Sequence, residues 1–451
     1  MAEPRRIVLA RPGWSSLASR HENTYNRTWP PLSSLYIATA LRERRLDVKI
    51  LDLQARGDGP AALAGVDGRD LVFLSTSDVD RWQCPNVEME PIDRLAAAVR
   101  ATGATFYLTG THGAVAPEAY LERTGAHGVL KGEPEEAAVA IATGTAPESI
   151  PGLLLRRAGG VLDTGTAPSV DMRRLPNPDY SLLDLDRYRY EILGDRFALF
   201  EGSRGCPFPC AFCSRVLQGR PMRRKEPQQL VAEVERAVRR DGARSAYFID
   251  LEFHLGAETN RGLCEFLARE RLDLKWCCQL RPREVKDDLL DAMAAAGCRL
   301  VHCGIESGSD ERLKALDKVS SVEQMVDGVR RILARGMEVL CFFIVGFPGE
   351  SEADIEKTIR VALDLNPSYA AFHLFTPYPG TEFAMTPERD GRFFVPPTHP
   401  EALPLARLSQ IRKAAYLRFY LRPSYVLSRL GRRQYGSLLR QARLFVSQVA
   451  S

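Results

Sequence analysis

Cys206, Cys210 and Cys213, set in Gly205-Cys-Pro-Phe-Pro-Cys-Ala-Phe-Cys213, are the residues of this 451-residue chain whose types and spacing speak most directly of chemistry. Thiolates are soft ligands that take zinc or iron–sulfur centres. A closed zinc site needs four ligands, and no fourth cysteine or histidine stands near; His254 is the nearest histidine in sequence. Three thiolates at spacings of four and three residues can instead wrap one corner of a 4Fe-4S cube, leaving the fourth iron open to a substrate. The bland alternative is three buried structural cysteines, against which Gly205 and two prolines in so short a loop argue. The other seven cysteines, at 84, 264, 277, 278, 298, 303 and 341, are scattered.

The elements that must carry this loop read as two β/α alternations. In the first, strand-like segments at 6–10, 48–52, 70–75, 105–110 and 128–132 alternate with helical spacing over 32–44, 92–101 and 135–143. Such alternation predicts a parallel sheet with helices on both faces. Its ligand site then lies beyond the carboxyl ends of the strands. Those ends carry Ser75-Thr76, Gly110-Thr111-His112-Gly113 and Gly132-Glu133-Pro134, which read equally well as a binding rim or as plain turns. Proline and mixed polarity predict a linker over 149–195. Strands at 197–203, 245–250, 274–280, 299–305, 339–346 and 369–376 follow, suiting an open or partial six-unit barrel with its site at the carboxyl strand ends. The division expected is 1–148, 149–195, 196–385 and a basic, helical C-terminal region over 386–451 that docks on the barrel.

Composition excludes several classes. With 45% hydrophobic and 26% charged residues the chain is of ordinary globular type, neither disordered nor fibrous. Its net charge of +4, from 61 basic against 57 acidic residues, is too balanced to argue for nucleic acid. No apolar run approaches the roughly 20 residues of a membrane span. No leader is expected at Met1 to Arg6, and free thiols then suit a cytoplasmic protein.

The segment 205–213 resembles the CxxxCxxC signature of the radical S-adenosylmethionine superfamily. The likeness continues at each following strand end: Asp250-Leu251-Glu252, Arg281, Gly304-Ile305-Glu306-Ser307, Gly346-Phe347-Pro348-Gly349-Glu350 and Thr376 to Thr381. It implies that Cys206, Cys210 and Cys213 ligate a 4Fe-4S cluster whose open iron is chelated by S-adenosylmethionine. By the same resemblance Phe212 helps form the adenine pocket. Asp250, Glu252, Arg281, Glu306 and Ser307 meet the methionine or ribose, and Gly346 lets the chain pass close to the nucleoside. The implied reaction is reductive cleavage to a 5′-deoxyadenosyl radical that abstracts hydrogen from an unactivated C–H bond. The electron comes from an external donor of flavodoxin or ferredoxin type.

The N-terminal part is similar to the Rossmann-like cobalamin-binding domain of one branch of that superfamily, through Trp29-Pro30-Pro31-Leu32 to Leu41, Gly110 to Gly113 and Gly132 to Glu135. Ser75, Thr76, Gly110, His112, Gly132 and Glu133 are then the implied cobalamin contacts. The DxHxxG string whose histidine ligates cobalt in cobalamin mutases does not occur, so a cofactor-free domain of the same fold is the competing expectation. Two reactions follow: cobalamin-dependent C-methylation of a polar small molecule, or radical dehydration of an aminoglycoside sugar with a reductase partner. At the barrel mouth Glu252, His254, Cys278, His302, Cys303 and His373 are the acid–base or hydrogen-donor candidates. A loop at Arg81-Trp82-Gln83-Cys84-Pro85 is placed by sequence against a corrin edge or against the barrel.

Overall fold

The structure is a computed structural model that describes residues 6–14, 28–57, 59–77, 87–214, 219–385 and 398–431. The loop at Arg81 to Pro85 lies outside these.

The first sheet has seven strands: Ile7–Arg11 (β1), Val48–Asp52 (β2), Leu71–Ser75 (β3), Thr105–Thr109 (β4), Gly128–Leu130 (β5), Leu153–Arg157 (β6) and Gly160–Asp163 (β7). They lie in the order β2-β1-β3-β4-β5-β6-β7, parallel up to β5 and antiparallel beyond it. Side chains alternate across a pleated strand, so Val8 and Ala10 pack with the helices Glu90–Ala101 and Pro117–Thr124. Ile7 and Leu9 pack on the opposite face with Pro134–Ala142. The strand order reverses between β1 and β3, the crevice where parallel sheets of this order receive ligands. The helix Leu32–Glu43 belongs to two cores at once. Ile37 and Leu41 pack on the first sheet, while Leu35 and Tyr36 enter the core of the second.

The stretch 149–195 is not a bare linker. Leu153, Leu154 and Leu155 extend the first sheet, and Arg189–Tyr190 (β8) pairs with Gly194–Asp195 (β9). Between them Asp171, Asp179 and Asp184 each accept a backbone N–H two residues on and open a short 3-10 turn. Proline and aspartate favour turns in a linker and in an ordered segment alike, so composition did not separate the two.

Phe197–Phe200 (β10) then opens the second unit. Ser203–Arg204 (β11) and Arg223–Arg224 (β12) form a small antiparallel ladder. Ser245–Phe248 (β13), Lys275–Leu280 (β14), Cys298–Glu306 (β15), Glu338–Val345 (β16) and Tyr369–Leu374 (β17) follow β10 in a parallel sheet of consecutive order. Consecutive right-handed crossovers put every connecting helix on one face, leaving the other face as the concave interior of an open barrel. The helix Leu405–Tyr420 closes the free edge of β17. Tyr420 Oη accepts from Ala370 N at 3.0 Å and Tyr416 Oη from Phe372 N at 3.1 Å. Two of its basic residues are paired outward, Arg407 with Glu352 and Arg418 with Glu356. No helix among the described residues is long and apolar enough to cross a membrane.

Candidate functional site

The cysteine loop leaves the carboxyl end of β10 through Ser203 and Arg204. Gly205 stands at φ +90°, and a Cβ there would lie 2.2 Å from Pro221 O, so only glycine makes the turn. Cys206 and Cys210 are buried and Cys213 half-buried. Backbone bonds from Ala211 N to Leu316 O and from Cys213 N to Cys210 O hold the loop's shape. Burial pushes the Cys206 thiol up to about 11, and Glu252 adds to the effect. Among the described residues no three His, Cys, Asp or Glu converge as one metal ion requires. Thiolates on a cube bind separate irons, so the cluster reading does not ask them to.

Around the loop stands a charged group short of partners. Arg281, just past β14, donates from Nη2 to Cys210 Sγ at 3.1 Å and lies with Cζ 3.6 Å from the Phe208 ring centre. Glu252 Oε1 is 3.6 Å from Arg281 Nε, and Glu252 Oε2 is 3.5 Å from His254 Nδ1. Yet Glu252 Oε2, both His254 nitrogens and Arg281 Nε and Nη1 are buried without a hydrogen bond among the described residues. Buried polar atoms are normally satisfied; a set of orphans beside three thiols fits a held cluster and a charged ligand. Burial raises Glu252 to about 7 against the pull of Arg281 and Lys318, and lowers His254 to about 4, with Arg281 acting the same way.

Glu306 closes β15 at φ +67°, a conformation costly for a residue with a Cβ. Lys318 Nζ holds it, 3.0 Å from Oε1 and 2.9 Å from Gly304 O. Phe212 meets Phe347 edge-on at 6.0 Å within an apolar wall that includes Leu316 and Phe375. His373 faces the barrel interior beside Phe342, ring centres 5.6 Å apart, and burial lowers it to about 4.

Several expected contacts face elsewhere. Asp250 accepts from Gly202 N at 3.0 Å and Ser203 Oγ at 2.5 Å, so its carboxylate ties β13 to the turn before Cys206. Ser307 is fully buried and accepts from Ser309 N. Gly346, at φ +88°, makes room for Leu408, which a Cβ would meet at 2.6 Å, rather than for a nucleoside. Cys278 and Cys303 are fully buried, whereas Gln279 and Gly304, their neighbours on the opposite pleat, keep partial exposure. The two thiols therefore face the helical layer. Burial raises both well above the usual range, and the hydrogen-donor role expected of them at the mouth has no geometric support.

In the first domain Thr76 Oγ1 donates to Thr109 O and accepts from Gly113 N, and Ser77 Oγ sits 3.3 Å from His112 Nδ1. Ser75 Oγ donates to Ser77 O. Gly110, at φ +98°, brings the chain against Thr76 and Ser77. Gly132 faces Ala167, whose Cβ would lie 2.3 Å from an added one. Glu133 accepts from Val170 N at 2.7 Å and pairs with Arg223 at 2.7 Å. These last two expected cofactor contacts thus serve packing between segments.

Sequence reading missed Lys318, Phe208 and the ion network of Arg204. It also missed the hydrogen-bonded run on the barrel floor from Tyr190 Oη through His302 to Tyr247 Oη and Gln279 Oε1. Each depends on partners far apart in the chain, and no local pattern announces them.

Residues 200–362 match the Radical SAM superfamily. The chain is 28% identical, over 94% of both lengths, to an uncharacterized methyltransferase of Pyrococcus horikoshii. It is 27% identical over 65% of its length to the anaerobic magnesium-protoporphyrin IX monomethyl ester cyclase of Cereibacter sphaeroides, of which it spans about half (51%). In fold, 84% of the chain superposes on 74% of the radical S-adenosylmethionine methyltransferase TsrM from Kitasatospora setae, with a TM-score of 0.66 at 20% identity. The matched domain implies a 4Fe-4S cluster and S-adenosylmethionine as cofactors. With the cysteine loop at the mouth of a parallel open barrel and a Rossmann-like domain before it, this is an enzyme that carries a Radical SAM domain over residues 200–362.

Proposed function

We propose that this enzyme is a cobalamin-dependent C-methyltransferase acting on a small molecule held in the barrel interior. The observation that carries the reading is the likeness over both domains at once. The Pyrococcus methyltransferase is matched over 94% of both chains, and the fold neighbour with cobalamin and a 4Fe-4S cluster bound is matched over 84% of this chain. When bound, the cluster with S-adenosylmethionine supplies hydrogen abstraction from an unreactive C–H bond, and a methylated corrin supplies the methyl group.

The chain's own residues would do the rest. Cys206, Cys210 and Cys213 would hold three irons. Glu252 would accept a ligand ammonium, since its orphaned Oε2 is the free carboxylate oxygen at the loop. Glu306, fixed by Lys318, would receive a ribose hydroxyl. Phe212, Phe347 and Phe375 would keep water from the adenine side. Gln279, Phe342 and His373 line the interior, and His373 stays neutral near pH 7, so it would bind substrate as a hydrogen-bonding group rather than as a cation.

For the corrin, the described residues offer a partial cradle only. One observation favours the second reading, a cobalamin-free dehydration of an aminoglycoside-type sugar with a reductase partner: Gly132 and Glu133 are closed off by Ala167, Val170 and Arg223. Anaerobic reconstitution after expression with cobalamin, followed by iron, sulfide and cobalt analysis, separates the two. About four irons with about one corrinoid supports methyl transfer. Four irons without corrinoid supports dehydration, and no cluster sinks both.

A further inference from the structure

Arg281 is 3% exposed and sits inside the cysteine loop rather than at its rim. Its guanidinium lies 3.6 Å from the Phe208 ring centre, between two of the three cysteines in sequence, and Nη2 donates to Cys210 Sγ at 3.1 Å. A guanidinium cannot be deprotonated in a protein, so this is a permanent positive charge in a site from which water is largely excluded. Glu252 is its nearest carboxylate, with Oε1 3.6 Å from Nε. Its Nε and Nη1 are buried without a hydrogen bond among the described residues.

Charge and hydrogen bonds at cluster sulfurs are among the levers that set an iron–sulfur potential. Uptake of one electron makes a cluster and its thiolates more negative. A fixed cation donating to one thiolate stabilises that reduced state more than the oxidised one, and so raises the potential. We propose that Arg281 sets the reduction potential of the cluster through Cys210, easing electron transfer from a low-potential one-electron protein donor. Lysine cannot substitute fully, because a compact ammonium neither stacks flat on Phe208 nor keeps the planar fork of donors. The inference rests on the reading that Cys210 ligates the cluster.

The test uses the full-length enzyme and the variants R281K and R281M, reconstituted without oxygen and assayed for iron and sulfide. Redox titrations followed by electron paramagnetic resonance, without S-adenosylmethionine, then give each midpoint. The expected order is wild type highest, R281K lower and R281M lowest, at equal cluster content. Equal midpoints in the three proteins overturn the inference while leaving the cluster reading intact. A shift that emerges only when S-adenosylmethionine is added also overturns it, because Arg281 would then act on that ligand alone. If R281M takes up no cluster, R281K decides: a lowered midpoint supports the proposal and an unchanged one overturns it. No cluster in the wild type overturns the cluster reading, and the inference with it.

Discussion

Arg204 Nη2 donates to Glu135 Oε1 at 2.9 Å with both side chains buried, and this pair ties the first domain to the residue two places before Cys206. Arg204 also meets Glu201 at 2.9 Å and Glu133 at 3.5 Å, and Glu133 is shared with Arg223. The three carboxylates outweigh the desolvation that would otherwise disfavour the charge on Arg204.

Removing that cation should be far more damaging than its single side chain suggests. In Arg204→Met, Glu133, Glu135 and Glu201 remain buried with one fewer counter-charge. Breaking a buried pair in this way costs roughly 3–5 kcal/mol. Glu135→Gln keeps an acceptor for Arg204 and should lose less, about 1–3 kcal/mol. Denaturant unfolding of the apo proteins measures both. Wild-type stability in Arg204→Met would show that the network holds nothing together.

The strained end of β15 makes a second prediction. Gly304 leaves space for the Glu306 carboxylate, which an added Cβ would meet at 2.2 Å. Gly304→Ala should push Glu306 off Lys318 and weaken S-adenosylmethionine binding by on the order of tenfold, about 1.4 kcal/mol. Equilibrium dialysis with the cluster-loaded protein reads this. An unchanged dissociation constant would remove Glu306 from the binding site.

A third concerns pH. Burial raises Glu350 to about 7, although Gly346 N and Phe347 N donate to its Oε2 and pull the other way. A carboxyl group raised above its unfolded value of about 4.3 binds its proton more tightly when folded. Its stabilising contribution is therefore complete below that value and is lost as pH rises towards 7. Glu350→Gln cannot titrate, so the stability difference between it and wild type should change over that window in the variant's favour, by up to about 3 kcal/mol. A pH-independent difference would refute the raised value.

What the sequence made legible was whatever is local. The five parallel strands of the first sheet and the six of the barrel fall where hydrophobic runs and turn residues put them. The cysteine spacing is a local fact too. Asp250, Ser307, Gly346 and Glu133 were expected at cofactors and are engaged instead with Ser203, Ser309, Leu408 and Arg223. Most of these partners are long-range, and strand ends look alike whether they face a ligand or another loop. Cys278 and Cys303 show a different limit. A parallel strand covered by helices is apolar on both faces, so its sequence does not say which residues point into the barrel.

The free edge of β17 gives the last prediction. An uncovered edge strand presents unpaired backbone groups that invite association. Here two tyrosines one helical turn apart do the pairing: Tyr420 Oη bonds both Ala370 N and Ala370 O, and Tyr416 Oη accepts from Phe372 N. Phenylalanine at both positions would preserve the packing of Tyr416 on Phe372 but leave the two amides without acceptors. Each buried orphan costs about 1–3 kcal/mol. The double variant Tyr416→Phe/Tyr420→Phe should therefore be destabilised by a few kcal/mol, and the amides of Ala370 and Phe372 should exchange hydrogen faster than those of β15 at the sheet centre. Because the aromatic rings stay, loss of the helix itself is not expected, and its own amides should keep their protection. If the exchange rates of Ala370 and Phe372 are unchanged, something other than the tyrosine hydroxyls protects this edge.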